Sequence, residues 1–170
     1  IKIVNKIGDL VIEKFHYNKI GTVIKHIPGH GLAKSDSHIR TPYIYKNLNY
    51  LKRNDFKVFK NKKSIFAMTA HIIFSKIDPT YTVTHSKKLI NIIRNDINFK
   101  NLIISDDISM KSLKFSTLIN TQKAFQAGCN LVLHCNARMS EMKVVAENSP
   151  KLDNFLLKKT LEFYKLVNIK

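Results

Sequence analysis

Cysteine is scarce. The chain of 170 residues holds only Cys129 and Cys135, too few for a disulfide framework and without metal-site partners at standard spacing. A reducing, cytoplasmic compartment is expected, with both thiols as packing residues rather than redox groups, and no metal or cofactor is expected. Long apolar runs are also missing; none approaches the length that spans a bilayer, so no membrane partner is expected. No charged-then-apolar leader with a small-residue cleavage site opens the chain. It opens on Ile1 instead of methionine, which points to a fragment or an unusual start. No low-complexity segment and no domain boundary interrupts it. Acid is in short supply: 12 Asp and Glu stand against 29 Lys and Arg, a net charge of +17.

That charge invites a nucleic-acid partner, but the lysines are dispersed. The densest cluster has only Lys57, Lys60, Lys62 and Lys63. The richness in Ile, Lys and Asn fits an AT-rich genome, where surface positions drift to Lys and Asn. Specific nucleic-acid binding is therefore not expected.

What the chain does have is a globular composition, 44% hydrophobic and 24% charged, with length enough for one domain and a core. Ile3, Ile7, Leu10, Val11 and Phe15 recur at helical spacing and predict a helix over 1–19. A strand is expected over 21–26, an irregular loop over 27–42 and a short helix over 46–57. Ser64 to Thr69 reads as the second strand, followed by a loop to Thr84. Ser86 caps a helix over 87–96. Leu102 to Ile104 is the third strand. A helix from Thr117 to Ala127 stops at Gly128, and Leu131 to Leu133 is the fourth strand. Residues 138–147 read as helix, and Ser149 with Pro150 opens a last one.

Short strands, apolar on both faces and separated by helices, are the pattern of a parallel sheet under helices, an α/β fold. Each polar motif falls at the C-terminal end of a strand: Lys25-His26, His71, Asp106 and Asn136. In parallel α/β folds that end is where chemistry is placed. Lys25 to His38 packs six ionisable side chains, two glycines and a proline into fourteen residues. Asp36-x-His38 lets a carboxylate orient one imidazole nitrogen and leave the other free, a usable general acid/base. Asp106 at a strand tip can act as a nucleophile, and its neighbour Asp107 is expected to cap or pair. Lys25 and His26 are adjacent on a strand and should face opposite ways unless Pro28 and Gly29 bend it. Gly29-His30-Gly31 lacks the spacing of a phosphate-binding P-loop. His71 reads equally as a structural histidine and as a substrate contact.

Taken in order, Lys25-His26-Ile27-Pro28-Gly29-His30-Gly31, Asp36-Ser37-His38, Met68-Thr69-Ala70-His71, Ile103 to Met110, and Ala127 to Asn136 resemble the motif set of bacterial β-N-acetylglucosaminidases of glycoside hydrolase family 3, enzymes of cytoplasmic peptidoglycan recycling. The resemblance runs from about residue 10 to 150. It implies a (β/α)8 (TIM) barrel of which this chain holds the part like strands five to eight, so that 1–170 is one partial catalytic domain. A whole barrel takes about 250 residues, in agreement with the length. The implied chemistry is retaining hydrolysis, releasing terminal N-acetylglucosamine from muropeptides. Asp106 matches the nucleophile and His38, oriented by Asp36, the acid/base. Lys25 and His26 match residues that bind ring hydroxyls, with His71 as a further substrate-side position. Asn130 stands where the family usually has aspartate, a change expected to alter local hydrogen bonding. Two rival expectations remain: an inactive remnant, or a half-barrel that needs a separately encoded N-terminal half.

Overall fold

Apolar residues at helical spacing begin the chain, and α1 (Lys2–Tyr17) follows them. The computed structural model describes residues 1–168. Lys19 at φ 62° ends the helical path and turns the chain into β1 (Val23–Ile27). Next come β2 (Tyr43–Ile44), α2 (Leu48–Arg53), a 3-10 turn at Asp55–Phe59, β3 (Phe66–Thr69) and β4 (Ile73–Phe74). A second 3-10 turn, Val83–His85, leads to α3 (Lys87–Asn95), β5 (Leu102–Asp107), α4 (Thr117–Ala127), β6 (Leu131–Leu133), α5 (Met139–Glu147) and α6 (Asn154–Val167). Among the described residues no helix is long and apolar enough to cross a membrane.

β1, β3, β5 and β6 form one four-stranded sheet in that order, every pair parallel. Helices and loops separate consecutive strands, as parallel pairing requires. One face of the sheet is packed. Ile27, Ala67 and Ile103 turn towards Leu51, Phe56, Phe74, Leu89 and Ile93, and all of these are essentially inaccessible. Each such large side chain contributes about 1.5–3 kcal/mol by leaving water. The other face carries Phe66, Met68 and Ile104, which are only half-buried. β1 and β6 are its open edges: Val23 is exposed and all of β6 is half-exposed. This is an α/β fold with a four-stranded arc of a (β/α)8 barrel. α6 passes under the feet of the strands. Its Phe163 stands edge-on to Phe66 at 5.0 Å between centroids, its Phe155 lies 5.9 Å from the Arg94 guanidinium, and a Cβ at Gly21 would run into Phe163.

The sequence-based boundaries of α3, α4 and β6 agree closely with the structure. Ser86 Oγ accepts from Leu89 N–H at 3.2 Å, and Gly128 ends α4 at φ 112°. Four expectations need correction. The loops over 27–42 and 70–84 are not purely irregular, because β2 and β4 pair in parallel across them. The helix over 46–57 breaks at Asn54, whose φ −118° and ψ −95° are not helical. β5 continues to Asp107, past Ile104. Ser149 does not open the last helix: its hydroxyl donates back to the Val145 carbonyl at 2.8 Å, and Asp153 is the cap, accepting from Leu156 N–H at 2.7 Å.

Candidate active site

The rim at the C-terminal ends of the strands gathers the polar motifs. On β1 the pairing register slips between Lys25 and Ile27. A bulge of this kind re-aims a side chain, so Lys25 and His26 line the same cavity, of about 410 Å³. The strand departs from regular pairing just before Pro28 and Gly29, where the sequence allowed a bend, and the rule of opposite faces for adjacent strand residues does not apply. His30, Asn54 and Asp55 complete the polar wall of the cavity. Asp55 gave no signal in the sequence beyond being an acid in a lysine-rich stretch. It packs against the loop so closely that a Cβ at Gly29, which has φ +153°, would lie 2.6 Å from Asp55 Cβ. Burial pushes the Asp55 carboxyl above its usual range.

His26 also faces the next strands. Its Nε2 lies 3.4 Å from Asp106 Oδ2, and its ring stands 5.4 Å from that of His30. Burial lowers the His26 pKa, opposed by the Asp106 charge and reinforced by His30 and Lys25. The ring is therefore neutral at neutral pH. Asp106 keeps one oxygen towards His26, while Oδ1 accepts from Asp107 N–H at 2.9 Å.

Asp107 is occupied elsewhere. Its Oδ1 accepts from Ser109 N–H at 3.0 Å and from Cys135 N–H at 3.1 Å, and the Ser109 hydroxyl donates to Oδ2 at 2.7 Å. The carboxylate thus ties the turn after β5 to the end of β6. His71 is fully buried. Its Nδ1 pairs with Thr84 Oγ1 at 2.7 Å, and its Nε2 donates to the Asp107 carbonyl at 2.9 Å. No ring nitrogen is left for a ligand, which corrects the expectation of a direct substrate contact. Thr84, which holds that ring and also pairs with Thr69 Oγ1 at 2.8 Å, was not singled out from the sequence. Asn136 is spent on Glu141 Oε2 at 2.6 Å.

The Asp36–His38 pair forms as its spacing implies. Asp36 Oδ1 accepts from His38 N–H at 2.9 Å and sits 2.8 Å from Nδ1, which leaves Nε2 free. These bonds hold the Asp36 carboxyl below the usual carboxylate range. Both side chains are exposed, His38 at 74%. Among the described residues no hydrogen bond or ion pair joins them to Asp106 or His26. The loop that carries them is tied down beyond them, where the Thr41 hydroxyl donates to the Ser112 carbonyl at 2.6 Å.

Asn130 links β5 to Arg94 of α3. Its Oδ1 accepts from Ile103 N–H at 2.9 Å and from Arg94 at 2.6 Å. Cys129 is core packing, its thiol pushed up to about 12 by burial; Cys135 is exposed, contrary to the expectation for both. No group of three or more His, Cys, Asp or Glu among the described residues is placed to hold a metal.

A parallel arc of strands, with a carboxylate and imidazoles on its C-terminal rim, defines the class: part of a (β/α)8 barrel of the enzyme type. Residues 1–157 match the glycosyl hydrolase family 3 N-terminal domain, and the chain belongs to that family. It is 31% identical over 151 residues to a β-hexosaminidase of Idiomarina loihiensis, covering 86% of this chain and 46% of the relative. The fold is shared with a family 3 β-N-acetylglucosaminidase from Paenibacillus sp., with a TM-score of 0.86 at 19% identity over 99% of this chain and 35% of that one. NagZ from Neisseria gonorrhoeae, solved in complex with N-trifluoroacetyl-D-glucosamine, aligns with a TM-score of 0.72 at 25% identity over 87% of this chain and 45% of its own. The chain thus spans about half the length of the curated relatives it matches.

Proposed function

We propose that this chain, 1–170 as one partial catalytic domain, carries the chemical half of a retaining β-N-acetylhexosaminidase. The observation behind the reading is the placement of Asp106 at the tip of β5. One oxygen is turned to His26 at 3.4 Å while Asp107 is wholly engaged with backbone and hydroxyl donors. Family membership supports it, as do the N-acetylglucosamine-type sugars in the names of its relatives. The substrate would be a terminal N-acetylglucosamine on a muropeptide, and the setting cytoplasmic peptidoglycan recycling.

In the first step the Asp106 carboxylate attacks the anomeric carbon. The His38 imidazolium gives its Nε2 proton to the departing glycosidic oxygen, and a glycosyl ester forms on Asp106. In the second step the neutral His38 takes a proton from water. That water attacks the anomeric carbon, frees the sugar and restores the carboxylate. Asp36 holds Nδ1 throughout. Lys25 and His26 offer donors to ring hydroxyls, and His71 acts from behind by fixing the Asp107 backbone. His38 is 74% exposed and makes no ion pair with Asp106, so this reading requires a bound sugar to bring its glycosidic oxygen within reach of Nε2.

A half-barrel that works only with the remaining strands is the second reading, favoured by one observation. The apolar stripe of α1 lies open, with Ile3 at 74% and Ile7 at 56% exposure, as it would where further barrel elements pack.

The test uses the chain together with the other half of a family 3 barrel, co-expressed from a relative. Asp106→Asn should abolish the trapped glycosyl-enzyme seen by mass spectrometry with a fluorinated sugar. His38→Ala should lose about 10²- to 10⁴-fold on natural glycosides and far less on a nitrophenyl glycoside, whose leaving group needs no proton. A label on Asp107, or equal losses on both substrates, would reassign the roles.

A further inference from the structure

A chain of buried hydrogen bonds reaches the neighbour of Asp106 from behind the rim. Thr69 ends β3, His71 lies two residues on, and Thr84 sits in the 3-10 turn Val83–His85. All three are fully inaccessible. Thr69 Oγ1 and Thr84 Oγ1 are 2.8 Å apart, Thr84 Oγ1 and His71 Nδ1 2.7 Å, and His71 Nε2 and the Asp107 carbonyl 2.9 Å. Valine would fill positions 69 and 84 with nearly the same shape. Threonine brings hydroxyls that are costly to bury unless paired. Among the described residues these two hydroxyls bond only to each other and to His71. The chain has one outlet, the Asp107 carbonyl.

Its direction follows from that last member. A carbonyl oxygen can only accept, so Nε2 carries the proton. Burial lowers the His71 pKa and outweighs the pull of the Asp106 and Asp107 charges. The ring is therefore neutral, and Nδ1 offers a lone pair. The Thr84 hydroxyl must donate to it. Having one proton, that hydroxyl accepts from Thr69. The turn that carries Thr84 is fixed from two sides. Val83 N–H donates to the Ile72 carbonyl at 2.9 Å, and the Cys129 thiol donates to the Thr84 carbonyl at 3.8 Å.

At the far end Asp107 is held all round. Its carbonyl accepts from His71 and from Met110 N–H at 3.1 Å, and its carboxylate from Ser109 and Cys135 N–H. Its own N–H then donates to Asp106 Oδ1 at 2.9 Å. That bond sets the Asp106 carboxylate and leaves Oδ2 on the side of His26, 3.4 Å from Nε2. The charge state of His71 matters as well. An imidazolium behind Asp107 would stabilise the free Asp106 carboxylate and oppose its conversion to an ester. A neutral ring that only donates does not.

We propose that Thr84, backed by Thr69, is a positioning residue for Asp106: it fixes His71 as the neutral Nε2–H tautomer and, through the Asp107 backbone, holds one Asp106 oxygen so that the other faces the sugar. The nucleophilic role of Asp106 rests on the glycosidase reading, whereas the chain of bonds does not.

The isotope-labelled full chain is followed by NMR at pH 7. In the native sequence His71 should appear as the Nε2–H tautomer with an unprotonated, hydrogen-bonded Nδ1. A charged ring or the Nδ1–H tautomer would overturn the proposal before any variant is made. Thr84→Val should move the His71 Nδ1 signal towards that of a free lone pair and shift the Asp106 carboxylate signal, with that of Asp153 unmoved. Thr84→Ser, which keeps the hydroxyl, should restore both. Thr69→Val removes only the donor behind Thr84 and should give the same shifts at smaller size. In the barrel completed by co-expression, Thr84→Val should lower kcat by about tenfold, as a small misplacement of a reacting group does, with KM unchanged, and Thr84→Ser should recover most of the loss. An Asp106 signal that ignores Thr84→Val, equal losses in Thr84→Val and Thr84→Ser, or a loss confined to KM would show that Thr84 only packs. The expected Asp106 shifts in a completed barrel that hydrolyses no glycoside would keep the positioning chain and remove the glycosidase reading instead.

Discussion

At the scale of single residues, the two adjacent carboxylates differ in the donors that surround them. Asp107 accepts from two backbone N–H groups and a hydroxyl; Asp106 accepts from one backbone N–H. Asp107→Asn turns part of that acceptor set into donors facing donors. It should cost about 1–3 kcal/mol of stability, whereas Asp106→Asn should cost less than about 0.5 kcal/mol. Urea midpoints at pH 7 give both values, and a larger loss in Asp106→Asn would reverse the structural assignment. His85 sets a pH dependence. Its folded pKa of about 4 lies below the ordinary 6.5. The contribution is thus fully present above pH 6.5 and is lost as pH falls from there towards 4, where the unfolded chain takes a proton that the folded ring refuses. The loss amounts to roughly 3 kcal/mol. Stability measured at pH 7 and pH 4 should fall less in His85→Gln than in the native sequence by about that margin. His71, also lowered by burial, acts in the same direction in both proteins. Spacing alone revealed the Asp36–His38 contact and the position of Asp106 near a strand tip, because those are local. The occupation of His71 was not legible, since Thr84 lies 13 residues away and Asp107 lies 36 away along the chain.

Among the elements, the pieces with a full apolar period and a cap were legible. Ser86 before α3 and Gly128 after α4 are local chemistry, and both ends fall where those residues put them. The two-residue strands β2 and β4 carry no period to read, and they exist only because the loops after β1 and β3 run side by side. The bulge at His26 was legible in part: Pro28 and Gly29 signalled a bend, but the mismatch itself lies between β1 and β3, and neither strand shows it alone. At the start of α6 two capping candidates compete, and local spacing favoured Ser149 with Pro150. The Ser149 hydroxyl is instead used by the end of α5, and the chain stays extended until Asp153. Asp153→Ala should therefore cost about 1 kcal/mol, and Ser149→Ala less than about 0.5 kcal/mol. Both are exposed side chains, so packing does not obscure the comparison. Thermal unfolding of the two variants decides it, and a larger effect at Ser149 would restore the earlier helix start.

For the whole molecule, apolar attraction and like-charge repulsion oppose each other. Ile3, Ile7 and Leu10 lie at 74%, 56% and 47% exposure along one helix. β1 and β6 both end the sheet without a further partner among the described residues. Such a surface favours association. The net charge of +17 keeps copies apart, and dispersed lysines make that repulsion long-ranged at low salt. Salt separates the two effects. The screening length falls from about 10 Å at 0.1 M to about 3 Å at 1 M, which removes repulsion and leaves apolar contact intact. Sedimentation of the chain by itself should show a growing associated fraction as salt rises over that range. Replacing Ile3 and Ile7 together with lysine should abolish the growth, because the same change removes apolar area and adds charge. Co-expression with the other half of a family 3 barrel should abolish it as well, by covering the stripe and both edges. An associated fraction that shrinks with salt would mean that charge, not the open side of the half-barrel, holds the copies together. A monomer at every salt concentration with one cooperative unfolding transition would mean that the arc is self-sufficient, and the need for a second half would fall with it.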